Sequence, residues 1–142
     1  MKKLTQCVSL LLICLMVLAI PVSANSRSTE ASHYFAYTSA YLSGVTTTAF
    51  KVCFDVTAVD IMDELGASVI EVERSSDGVN WETVHTRTKE SYPDMIGEND
   101  YDHNYNFLYI GLSGYSYRAY IEFYAKDDTG EAYYGSYTQT FP

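Results

Sequence analysis

Six ionisable side chains crowd one stretch of this chain: Glu90, Asp94, Glu98, Asp100, Asp102 and His103 all lie between Lys89 and Asn104. The stretch is longer than the usual connection between strands, and loops of that length often carry function. The chemistry it suggests first is calcium binding, because a hard cation takes six to eight oxygens, and Glu98, Asp100 and Asp102 with backbone carbonyls could supply several. A solvated acidic loop accounts for the same residues, since no twelve-residue calcium loop is present to aim the carboxylates. Glycoside hydrolysis is a second chemistry for paired acids, but it requires two carboxyl groups at a set separation across a cleft. Serine catalysis finds no Gly-x-Ser-x-Gly elbow, and His33, His85 and His103 are scattered along the chain. Zinc would need four Cys or His ligands, which the chain cannot gather around its one remaining thiol, Cys53.

Aromatic residues are the other candidates. The chain holds 14 tyrosines and one tryptophan. Trp81 offers a ring that could stack on a sugar or pack as an anchor. Tyr120 and Tyr124 share a side of the alternating run Tyr115–Lys126 with Arg118 and Glu122. Glu71, Glu73 and a tyrosine from 133–137 on neighbouring strands would complete a mixed aromatic and charged patch, with Arg118 paired to Glu71 or Glu73 across the sheet. Such a patch suits a protein or glycan ligand, because hydroxyl-tipped rings give large contact area at low entropic cost.

These residues must be held by strands. Thr48–Thr57 alternates strictly, with Phe50, Val52, Phe54 and Val56 on one side and Lys51, Cys53, Asp55 and Thr57 on the other. Ser68–Arg74 turns Ile70 and Val72 inward, and Ser75-Ser76-Asp77-Gly78 then supplies turn chemistry before Trp81–Thr86. Tyr115–Lys126 reads as a central strand, and Asp127-Asp128-Thr129-Gly130 returns the chain into Glu131–Thr140. With 33–42 and 105–111 added, the chain predicts about seven strands in an all-β, antiparallel sandwich. Asp60–Gly66 is expected to form at most one helical turn, between two separate strands. Cys53 falls on the polar side of its strand, where a neighbouring strand or loop is expected to cover it.

The amino terminus reads as a secretory signal peptide over residues 1–24. Lys2 and Lys3 precede an apolar run from Val8 to Ile20, and Val22-Ser23-Ala24 follows as the cleavage site. At about 13 residues the run is short for a membrane span. Cleavage would remove Cys7 and Cys14 and leave residues 25–142 as one domain, secreted, without an internal disulfide and not inserted in a membrane. The full chain has 9 Lys and Arg against 18 Asp and Glu. That balance argues against nucleic acid as a partner, because a phosphate backbone selects a basic surface.

The segment Arg74-Ser75-Ser76-Asp77-Gly78-Val79-Asn80-Trp81 resembles a hairpin frequent in fibronectin type III domains, and Leu112-Ser113-Gly114-Tyr115-Ser116-Tyr117 is similar to that family's tyrosine corner. The resemblance implies an immunoglobulin-like fold with Tyr117 as the corner residue and Phe54 in the place of the family's core tryptophan, so Tyr117, Trp81 and Phe54 take structural roles. Over most of its length the chain also resembles short secreted proteins of Gram-positive gut bacteria, on "IMDELGAS", "RSSDGVNW" and "GYSYRAY". Neither resemblance transfers a catalytic residue. The expected function is a secreted, non-catalytic module that binds an extracellular protein or glycan through Arg118, Tyr120, Glu122, Tyr124 and Trp81. A calcium-stabilised structural domain is the alternative and a small glycan hydrolase the third. No cofactor is expected, calcium belonging only to the alternative reading.

Overall fold

The apolar side of Thr48–Thr57 is the seed of the core. Phe50, Val52, Phe54 and Val56 are all buried, as alternation requires, and they belong to a strand far longer than that segment. The computed structural model describes residues 31–142; the segment read as a signal peptide lies outside the described residues. A single helical turn, α1 (Ala31–Tyr34), leads into six strands: β1 (Phe35–Gly44), β2 (Ala49–Ser75), β3 (Glu82–Thr88), β4 (Ile96–Ile110), β5 (Ser116–Lys126) and β6 (Glu131–Tyr137). A 3-10 turn, Pro93–Met95, precedes β4.

All pairings are antiparallel and all six strands join in one sheet. The 27-residue β2 is its spine. Its first part, Ala49–Ala58, lies between β1 and β4; its last part, Val69–Ser75, lies between β3 and β5, and β6 lines the far edge of β5. Two irregularities in β2, between Thr57 and Met62 and between Ala67 and Val69, mark where the sheet curls. The result is an open, curled half-barrel whose two arms share one core. Phe54 meets Phe123 edge-on at 5.8 Å between ring centroids, and Phe50 meets Tyr117 at 5.3 Å. Each such ring contributes about 1.5–3 kcal/mol by leaving water.

Two expectations are corrected. Asp60–Gly66 forms no helical turn but continues β2, because Met62 and Leu65 point into the core and the backbone of Met62–Gly66 pairs with Ile96–Asp100. Two expected strands therefore merge, and six strands stand where about seven were expected. The acidic stretch is likewise not a loop from Lys89 to Asn104, since β4 begins at Ile96. Gly66 sits at the crossing of both changes: a side chain there would strike the Met95 carbonyl.

Candidate functional site

The hairpin between β2 and β3 is built by Ser75 and Asp77. The Ser75 hydroxyl accepts the Gly78 N–H at 2.8 Å, while one Asp77 carboxylate oxygen accepts the N–H groups of Val79 and Asn80, each at 2.8 Å. These bonds, led by those from Asn80, hold the Asp77 carboxyl well below its ordinary pKa. Gly78 adopts φ 74°, the left-handed region that favours glycine. The turn delivers Trp81 to the outer face of β5, away from the core.

There Trp81 meets Arg118. The guanidinium lies 4.3 Å from the Trp81 ring centre and 4.4 Å from that of Tyr137, so it is held between two aromatic faces. Its Nε donates to Glu73 at 2.6 Å, which selects Glu73 over Glu71 as the cross-strand partner. Tyr137 continues the row to Tyr120, 5.2 Å away. Tyr120 leans over Gly135, where any side chain would collide with the ring. Burial, then Glu122, Tyr137 and Glu71, raise the Tyr120 pKa. Glu122 accepts a bond from the Ser68 hydroxyl at 2.6 Å. The face thus presents the row Trp81–Arg118–Tyr137–Tyr120, with Glu122 beside it. Tyr137 is half exposed.

Tyr124 does not join this row. Alternation places it on the same side, yet only 2% of it is accessible. The Lys89 ammonium sits 3.6 Å above its ring centre, Tyr133 packs at 5.1 Å, and its hydroxyl donates to Glu131 at 3.3 Å. Burial, reinforced by Glu64 and Glu131, pushes the Tyr124 phenol up to about 12. Lys89 and Lys126 both bond Glu64, each at 3.2 Å. Burial would raise the Glu64 pKa, but the two ammonium groups outweigh it and hold it low.

The proposed calcium ligands are spread along β4. Glu98 lies opposite Glu64, Asp100 opposite Met62 and Asp102 opposite Thr57. The backbone is irregular among them, with Asn99 at φ 52° between Glu98 and Asp100. Asp100 instead accepts the N–H groups of Tyr101 and Asp102, and Asp102 accepts the Thr57 hydroxyl. Among the described residues no three His, Cys, Asp or Glu side chains are grouped so as to hold a metal ion.

The structural residues fall in different places. The Tyr117 hydroxyl accepts the Leu112 N–H at 2.7 Å, and its ring lies against Gly111, where a side chain would overlap it. Phe54 is enclosed by His103, Tyr105 and Phe123. Trp81 covers Arg118 instead of the core. Cys53 faces away from the core but is covered, with Tyr41 opposite it on β1, and burial raises its pKa. Tyr137 and Lys89 were the residues no periodicity singled out: the first was one of three tyrosines of β6, and the second lies beyond β3 with nothing in sequence to tie it to Tyr124.

Among the described residues no helix is long and apolar enough to cross a membrane. Comparison with protein-family models, curated proteins and solved structures finds no match.

Proposed function

We propose that this is a secreted, non-catalytic module of fibronectin type III-like design that binds an extracellular protein through the outer face of β5 and β6. The row Trp81–Arg118–Tyr137–Tyr120 carries the reading. Tryptophan, tyrosine and arginine are the residue types that dominate binding hot spots, and here they are already ordered against one another, which lowers the entropic cost of engagement. The strand order supports the sandwich design: β1, the first part of β2 and β4 make one arm, and β3, the last part of β2, β5 and β6 make the other. The bond from Leu112 to the Tyr117 hydroxyl supports it too.

The test is capture of surface proteins from neighbouring cells, run beside a glycan array. Tyr137→Ser with Tyr120→Ser should abolish capture while leaving the fold intact by circular dichroism. Undiminished capture by that variant would clear the face of any role, and binding confined to the array would replace protein with glycan as the ligand.

A further inference from the structure

We propose that β1 pairs edge to edge with β1 of a second copy of this chain. Among the described residues, β1 hydrogen-bonds only to β2; past an irregularity between Phe35 and Tyr37, its other edge leaves a row of backbone N–H and C=O groups open along the regular run from Tyr37 to Gly44. Open edges are ordinarily blunted by charge, proline, bulges or shortness. The other edges here follow that rule. β3 carries Glu82 and Arg87, β4 carries Glu98, Asp100 and Asp102, and β6 begins at Glu131 and is interrupted by Gly135.

β1 reads Phe-Ala-Tyr-Thr-Ser-Ala-Tyr-Leu-Ser-Gly, the only one of the six strands without a charged side chain, in a chain of net charge -9. Two strongly acidic bodies repel at most approaches, and β1 itself brings no charged side chain to this edge; the nearest carboxylate at the axis, Asp55 opposite Ser39, lies one strand further in. Its pattern is also complementary to itself. A two-fold axis through Ser39 sets Tyr37 of each copy opposite Tyr41 of the other, on the outer face, where the two rings are 57% and 41% exposed. On the inner side the same register opposes Thr38 to Ala40, small enough for the backbones to close.

The purified protein should show a concentration-dependent dimer by sedimentation equilibrium, strengthened by salt because screening relieves the repulsion of the acidic bodies. Tyr37→Glu should weaken it about tenfold or more, through two altered cross-strand pairs. The double variant Tyr37→Glu/Tyr41→Lys, which sets acid opposite base in this register alone, should restore it. Amide hydrogen exchange in β1 should slow as the concentration of the unmodified protein rises, a readout that holds even if a variant folds poorly. A monomer at every concentration and salt, a dimer indifferent to Tyr37→Glu, or β1 amides protected only when a different protein is added would each overturn the pairing.

Discussion

Tyr120 and Tyr124 stand four residues apart on the same side of the same strand, yet one is partly exposed and the other enclosed. Tyr120 joins an open aromatic row that reaches Trp81 through Tyr137 and Arg118, whereas Tyr124 lies under Lys89, beside Tyr133 and bonded to Glu131. Alternation decides which side of a sheet a residue takes; the neighbours that arrive from elsewhere in the chain decide whether it meets solvent. One end of the face is therefore partly open to solvent and the other enclosed.

The sharpest way to break that contrast is to truncate each ring. Tyr124→Ala should destabilise the protein by about 3–5 kcal/mol in urea denaturation, as for a large buried aromatic, and Tyr120→Ala by about 1 kcal/mol. Equal losses would mean that the two ends are not energetically distinct. Next in size is Arg118→Met, expected to cost about 1–2 kcal/mol. It leaves Glu73 unpaired at a site where 12% of that side chain is accessible, but the arginine is 28% exposed, so the penalty stays below that of a fully buried pair. Its loss should also loosen Trp81, read as a red shift in fluorescence. Lys89→Met is smaller again, about 1 kcal/mol, because Lys126 still bonds Glu64 and a thioether can cover Tyr124 in place of the ammonium.

Alkaline pH sharpens the contrast without mutation. The Tyr124 phenol titrates near 12 in the folded protein against 10 when unperturbed, so between those values the unfolded chain has already released its proton while the folded one keeps it. The resulting stability is present in full below pH 10 and is lost as pH rises toward 12. Phenolate absorbance should show Tyr124 among the last to ionise, and Tyr124→Phe should reduce the alkaline loss.

Much of the scaffold was legible because one-sided burial writes itself as period two. Phe50 to Val56, Ile70 with Val72, and Tyr117 to Ala125 all lie where alternation places them. The hairpin at Asp77 was legible from turn chemistry, whereas the role of Tyr117 was anticipated only through a family resemblance. What sequence hid was set at long range. Asp60–Gly66 contains Asp, Met, Glu and Leu, poor strand formers or good helix formers, and long-range pairing with Ile96–Asp100 on one side and Tyr124–Lys126 on the other makes it extended. The same pairing turns the acidic stretch, read as a loop, into a strand that carries Glu98, Asp100 and Asp102. Within the site, Arg118 and Trp81 were visible as types, but which carboxylate and which tyrosine would meet them depended on register, and the covering of Tyr124 depended on a lysine 35 positions away.

The long spine strand also bears on how the chain reaches this state. β1, β3, β4 and β5 all bond to β2, so none can dock until that segment is extended, while β6 only adds to a finished edge. Conservative truncations at Val56 or Ile70 should therefore slow refolding, and one at Ala132 should chiefly quicken unfolding. That outcome would make the commitment of one stretch of backbone to two arms at once the rate-limiting event.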